Sequence, residues 1–274
     1  MASRKTLLCW LALLPLIALN LFPFLVMLST ALKPAAEVLS AAPSWLPSRL
    51  AWQNFPAMWR SSNFAGAILN SIYVSIVSAA IAVLVSIPAA YAMARYRFRA
   101  KGLYRDFLLI TQMVPPVVLV LGLFRLAAWL GLLNSLTALL LIYASFQIAF
   151  AIWMLQSYFA SIPLDLEEAA WLEGASRLRS VCTIFLPMSL PAIAVTTIFA
   201  FINAWNEFIV ALTMLRDQSN YTLPIQIFSL VAGRYQVEWE QVMAAALVAT
   251  VPVALLFAWL QRYLVVGLSV GAVK

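Results

Sequence analysis

Apolar residues along this chain fall into long uninterrupted blocks, and the short stretches between the blocks hold most of the charge. A surface helix of a water-soluble domain would show an apolar stripe recurring every three or four residues; these blocks are apolar all round, as a helix surrounded by hydrocarbon must be. A run of about 20 such residues crosses a bilayer. The pattern predicts six spans, at about 7–32, 66–94, 106–130, 135–159, 188–215 and 242–264, with polar loops at 160–187 and 216–241. The expected fold is all-α, a polytopic membrane protein forming a single transmembrane domain over 1–274.

Composition agrees, with 65% hydrophobic and only 10% charged residues, far from the averages of soluble domains. Charge then sets the orientation. With the N-terminus in the cytoplasm, the inner side holds Arg4, Lys5, Arg95, Arg97, Arg99, Lys101, Arg105, Arg177, Arg179, Arg262 and Lys274, the majority of the 17 basic residues. Lys33, Arg49, Arg60, Arg125, Arg216 and Arg234 fall elsewhere, and the dense "RYRFRAKGLYR" at 95–105 resists translocation. Both termini are thus expected inside. The net charge of +7 reads as a topological signal spread over short loops rather than as a nucleic-acid surface. The first apolar run is too long for a signal-peptide core and reads as an uncleaved span.

Several chemistries are absent. The chain has no histidine, which removes His-based triads, HExxH zinc sites and histidine proton shuttles. Its two cysteines, Cys9 and Cys182, lack the number and spacing for a metal site, and no disulfide is expected. No GxxxxGK[ST] loop is present, so energy from ATP has to come through a partner. No paired carboxylates or serine–base pair suggests an intramembrane enzyme. A secondary transporter or channel, the other alternative, would need more intramembrane acids.

The 160–187 loop contains "LEEAAWLEGASRLRSVCTIFLP", a polar interruption between two apolar runs. Its residues predict two short helices. Pro163 suits a first helical turn, and Asp165, Glu167 and Glu168 place negative charge at the positive end of the helix dipole. Gly174 offers the left-handed conformation that ends a helix, and Ser176 can cap a second helix. There Leu178, Val181, Cys182 and Phe185 recur on one face, and Pro187 closes it before the fifth span. Small Ala169 and Ala170 let the first helix approach a partner surface while the flanking carboxylates reach basic groups on it. The alternative is a hairpin lying under the headgroups, where two glutamates would face anionic lipid.

This segment resembles the EAA loop of importer permeases of the ATP-binding cassette class. The family pattern is EAA, three residues, glycine, nine residues, then Ile-x-Leu-Pro; here it reads Glu168, Ala169, Ala170, Gly174, Ile184, Leu186 and Pro187. "LSTALKPAAEVLSAAPSWLP", "FINAWNEFIVAL" and "GLSVGAVK" look like the six-span subunit of maltose-type sugar importers. The resemblance implies alternating access in the bacterial inner membrane. It implies a second, different permease, two copies of a cytosolic ATPase subunit that bind ATP and Mg, and an extracytoplasmic solute-binding protein. No cofactor is implied for this chain itself. Coupling to the ATPase would fall to Glu167, Glu168, Ala169, Ala170, Gly174, Ile184, Leu186 and Pro187. The cargo would be a sugar, polyol or glycoside, although the same loop serves importers of amino acids, osmolytes and phosphate esters. The outer loop at 216–241 resembles the segment that reaches into the binding protein, which singles out Gln226, Phe228, Gly233 and Tyr235; the alternative is an ordinary amphipathic loop.

Polar residues inside spans usually face the bundle interior or a water-filled path. Asn70, Gln112, Gln147, Asn203, Asn206 and Glu207 are such residues, and helical spacing puts Asn203, Asn206 and Glu207 on one face. They are candidates for a pathway lining, and equally for hydrogen bonds between spans. Glu207 and Arg125 lie at similar depth by residue count, which predicts an ion pair bracing spans three and five; the alternative is that Glu207 lines the pathway and Arg125 snorkels to the outer interface. Pro88, Pro115, Pro116 and Pro252 fall inside spans and are candidate kinks.

Overall fold

A computed structural model describes residues 2–40, 44–61, 63–232 and 235–271. In chain order the helices are α1 (Ala2–Ala31), α2 (Ala35–Val38), α3 (Asn54–Ser61), α4 (Phe64–Arg95), α5 (Lys101–Met113), α6 (Pro116–Trp129) and α7 (Leu136–Ser161). They continue as α8 (Asp165–Leu172), α9 (Arg177–Ser180), a π-helical turn (Val181–Phe185), α10 (Leu186–Asn206), α11 (Ile209–Met214), α12 (Leu223–Ser229) and α13 (Trp239–Gly271). Among the described residues there is no strand.

Five helical stretches are long and apolar enough to cross a membrane: Cys9–Ala31, Phe64–Arg95, Leu136–Ser161, Arg177–Asn206 and Trp239–Trp259. The third expected span, at 106–130, is no single helix. It is the pair α5 and α6, bent by 93°. The cause is Val114-Pro115-Pro116: a residue before proline is driven out of the helical region, and a proline cannot donate to the preceding turn. Val114 and Pro115 are extended (ψ 115° and 135°), and α6 restarts with Pro116 in its first turn. Pro88 and Pro252, by contrast, sit inside continuous helices.

The expected fifth span, 188–215, also needs correction at both ends. It is continuous with α9 through the π turn, so Pro187 falls in the first turn of α10 instead of ending a helix. The wide turn is the physical accommodation of a proline that has no N–H and whose ring crowds the carbonyl four residues back. Beyond Asn206 the helix breaks at Glu207 (ψ 130°) and resumes as α11.

The chain divides into two compact units, Met1–Ala65 with Ile225–Val253 and Gly66–Pro224 with Ala254–Lys274. In the first, the buried Asn54 amide donates to the carbonyls of Ala31 (2.8 Å) and Lys33 (2.9 Å), and the Ala51 N–H donates to Leu32 (2.9 Å). These bonds satisfy carbonyls that the end of α1 leaves without helical partners. In the second unit α7 is central, entering at Ser135, whose hydroxyl accepts from the Ala138 N–H. One core cluster there joins Val83, Tyr91, Leu108, Ile152, Leu155, Phe159 and Phe185. Phe185 sits edge-on to both Phe159 (4.8 Å) and Tyr91 (5.1 Å), so the π turn is packed into the base of this core.

Candidate functional sites: an outward helix and a polar cavity

The 160–187 loop folds as two helical pieces. Pro163 lies ahead of α8 and outside its first turn, which carries Asp165, Glu167 and Glu168. The end of α8 is a Schellman turn: Gly174 has φ +85°, its N–H donates to Trp171 (3.0 Å), and the Ala175 N–H reaches back to Ala170 (2.9 Å). A Cβ at Gly174 would meet nothing within 4 Å, so the turn requires glycine for its backbone angle and not for space. The Ser176 hydroxyl accepts from the Arg179 N–H (3.3 Å) and opens α9.

The eight residues of α8 have two contrasting faces. Glu167 and Ala170 are buried within the chain. Asp165, Glu168, Ala169 and Leu172 are exposed, Leu172 to 90%. These four recur at i, i+3, i+4 and i+7, the spacing of one helical face. The sequence expectation that both flanking glutamates and both alanines face a partner is therefore corrected: Glu168 and Ala169 face outward, Glu167 and Ala170 inward. Leu172 was missed, although the helical spacing from Glu168 and Ala169 pointed to it. The face expected for the second helix also breaks up, because the π turn shifts the register; Leu178 and Cys182 are exposed while Phe185 is buried. Ile184 and Leu186 are half-buried and Pro187 is exposed.

Glu167 has a specific partner inside the chain. Its carboxylate accepts from Arg95 Nε (2.6 Å) on one oxygen and from the Tyr91 hydroxyl (2.7 Å) on the other. The two charged side chains are 1% and 6% exposed, respectively. Arg95 also donates through Nη2 to the Ile162 carbonyl (2.8 Å), and its guanidinium lies 5.1 Å from the Phe185 ring centre. The cost of burying both charges is offset by their mutual pairing, by a bond to each oxygen of the Glu167 carboxylate and by the second Arg95 bond through Nη2. Nearby, Arg177 stacks over Trp171 (5.1 Å) and Tyr96 (5.7 Å).

The second site is a cavity of about 280 Å³ where the two helix breaks meet, lined by Gln112, Pro116, Tyr143, Gln147, Asn203 and Glu207 together with Phe146 and Phe150. A neighbouring cavity of about 380 Å³ shares Gln112, Pro116 and Phe146. Irregular backbone at membrane depth is tolerated where it is buried in protein or lines a water-filled space, and both breaks border these cavities. Gln147 donates to the Ala200 carbonyl (2.6 Å) and Gln112 to that of Phe146 (3.3 Å), so the two amides also tie helices together. Asn206 is exposed and does not line the cavity, which separates it from Asn203 and Glu207. Asn70 lies apart too: its amide donates to the carbonyls of Ser219 (2.9 Å) and Tyr221 (3.0 Å).

The predicted Arg125–Glu207 pair is not formed. Glu207 instead accepts from the Tyr143 hydroxyl (2.6 Å) and from the N–H groups of Val210 (2.9 Å) and Ala211 (3.2 Å), capping α11 across the break. Equal depth said nothing about azimuth; Arg125 is exposed on α6, and among the described residues no ion pair joins it to Glu207. In the 216–241 segment Gln226 is fully buried and donates to Ser229 Oγ (3.2 Å), which contradicts its expected contact with an outside protein. Phe228 is 43% exposed and Tyr235 completely so; Gly233 lies outside the described residues.

Comparison with known proteins decides what this arrangement belongs to. Residues 86–270, a stretch that contains both sites, match the family described as the binding-protein-dependent transport system inner membrane component. The chain belongs to this family. Like other members it is a transport subunit without an ATP site of its own, and its apolar helices make it a multi-pass inner-membrane protein. It is 36% identical over 212 residues to the trehalose/maltose transport system permease protein of Thermococcus litoralis, covering 77% of this chain and 76% of that protein. It is 34% identical over 255 residues to the sulfoquinovosyl glycerol transport system permease protein of Agrobacterium fabrum, covering 93% and 89%. A crystal structure of a bacterial ABC transporter that imports the acidic polysaccharide alginate contains a chain of the same fold, with a TM-score of 0.79 at 22% identity over 96% of this chain and 98% of that one.

Proposed function

We propose that this permease forms, with a second and different permease, the pathway of an ATP-driven importer for a sugar, polyol or glycoside. Both termini face the cytoplasm in this reading, which puts α8 inside and the 216–241 segment outside. The outward face of α8 carries the proposal. Asp165, Glu168, Ala169 and Leu172 offer two acids beside a small residue and an unpartnered leucine, a surface suited to a cleft with basic rims and an apolar floor. That cleft belongs to a cytosolic ATPase subunit, present in two copies, which binds ATP and Mg; this chain binds neither. A solute-binding protein delivers the cargo from outside.

The carbohydrate class is supported by the similarity to trehalose/maltose and sulfoquinovosyl glycerol permeases and by the cavity. Amide groups of Gln112 and Asn203 beside the rings of Phe146 and Phe150 suit a polyhydroxylated molecule with apolar C–H faces. Among the cavity's lining residues Glu207 is the ionisable carboxylate and no lysine or arginine is present, which does not favour an anionic group at this position. Two measurements test the reading. Purification of the intact complex from membranes is expected to bring the ATPase subunit with it, and a thermal-shift screen of the cognate binding protein is expected to single out a sugar, polyol or glycoside. Transport without an ATPase, or a binding protein that answers only to amino acids, osmolytes or phosphate esters, would overturn it.

A further inference from the structure

We propose that α4 is a rod joining α8 to the outer segment 216–223, with Glu167 and Arg95 as its inner joint and Asn70 and Ser71 as its outer one. The proposal rests on the reading of α8 as the ATPase-docking helix. Along the chain, α8 leads only to its sequence neighbours, α7 on one side and α9 on the other. The buried Glu167–Arg95 pair ties it to a helix far away in sequence, with Tyr91 holding the second carboxylate oxygen. Separating the two charges would leave both unpaired in a site that excludes water, so a shift of α8 carries the Arg95 end of α4 with it.

The helix between the joints is unbroken, passing through Pro88 without interruption. From Asn70 to Arg95 it rises about 37 Å at 1.5 Å per residue, enough to cross the hydrocarbon core. At the far end its grip is on backbone. The Asn70 amide holds the carbonyls of Ser219 and Tyr221, and the Ser71 hydroxyl, 2% exposed as a residue, accepts from the Leu223 N–H at 2.7 Å.

The same outer segment has a second anchor that does not belong to α4. Asn134, in the left-handed conformation (φ 57°), accepts from the N–H groups of Arg216 (3.0 Å) and Asp217 (3.1 Å) through its side chain. Its amide donates to the Asp217 carboxylate (2.6 Å), and its own carbonyl accepts from Asn220 (2.8 Å). Residues 216–223 are thus held between α4 and the α6–α7 turn. Any displacement of α4 against that turn must reshape the segment. ATPase closure inside would in this way alter the outer surface, and by reciprocity of coupling a loaded binding protein pressing there would alter α8.

A double-mutant cycle in the reconstituted complex tests this, with stimulation of ATP hydrolysis by loaded binding protein as the readout. Glu167→Gln keeps the shape and the outward face of α8, so the ATPase subunit is expected to stay bound while stimulation falls about tenfold, within the usual range of coupling between sites. Asn70→Ala combined with Ser71→Ala, at the opposite end, is expected to lower stimulation on the same scale. Combining all three is expected to be no worse than the weaker of the two parents, since a rod cut at one end transmits nothing more to lose. Multiplying effects would mean that the ends act independently, and normal stimulation in assembled variants would mean that α4 carries no signal; either result overturns the proposal. Should Glu167→Gln fail to assemble, the outer variant decides alone, because a purely local brace there leaves stimulation unchanged. Absence of the ATPase subunit from the unmodified complex is a different result and would overturn the reading of α8 itself.

Discussion

Glu167 and Glu168 are chemically identical neighbours with opposite surroundings, one sealed against Arg95 and Tyr91, the other open to whatever docks on α8. A change at each should therefore fail differently. Glu168→Lys reverses a charge on the proposed docking face and is expected to weaken retention of the ATPase subunit during purification, with the permease itself inserted normally. Gly174→Val forces a β-branched residue into φ +85°, at a cost of about 1–2 kcal/mol that Gly174→Asn largely avoids. Substrate-stimulated ATP hydrolysis is expected to drop in the valine variant and to be mostly kept in the asparagine one. Glu207 gives a third residue-level test. Its partners are donors, a hydroxyl and two N–H groups, so Glu207→Arg cannot be repaired by Arg125→Glu, whereas Glu207→Gln keeps an acceptor. The yield of assembled complex should be low for the swap and close to normal for glutamine; recovery in the swap would revive the ion pair.

At the scale of elements, three departures from regular helix matter: the α5–α6 elbow, the break between α10 and α11, and the π turn before α10. Two of them adjoin the cavity that holds Gln112 and Glu207. The elbow depends on consecutive prolines, and replacing both Pro115 and Pro116 by alanine restores two donors and lifts the restriction on Val114. Helix is then expected to propagate through 114–116 and carry Gln112 away from Asn203 and Glu207. Import into proteoliposomes should fall severalfold while the ATPase subunit remains associated; unchanged import would show that the elbow does not shape the pathway. The π turn acts on a different property, register. By placing Phe185 under Arg95 and turning Leu178 and Cys182 outward, it seats the loop against the core cluster.

For the whole molecule the proposed tasks divide between opposite faces of the membrane. On the side proposed to face outward, the buried state of Gln226 moves the candidate contact with the binding protein to Phe228 and, above all, to Tyr235. Tyr235→Ala removes a fully exposed ring and is expected to slow cargo release from the binding protein by roughly an order of magnitude, the scale of one aromatic anchor at an interface, with complex assembly intact. Gln226→Ala should instead lower the thermal stability of the detergent-solubilised complex. Normal release kinetics in the Tyr235 variant would move the contact elsewhere in the segment.

What the sequence by itself determined is local. Five long apolar helices follow from block length and hydropathy, and the stop after α8 follows from a glycine at a position that needs a positive φ. The excluded nucleotide loop and histidine chemistry follow from composition. The proline pair announced a disturbance at Val114, though not its 93° angle, because a break's direction is set by what the two halves pack against. Only the tertiary structure decided where polar side chains point. Successive helical residues differ by about 100° in azimuth, so Glu167 and Glu168 cannot both face the same neighbour, and which one turns inward depends on Arg95, 72 positions away. Glu207 chose Tyr143, 64 positions away, over Arg125 for the same reason. A buried charge takes the partner that the fold brings within hydrogen-bond reach, and a one-dimensional pattern carries depth along a helix but not the direction around it.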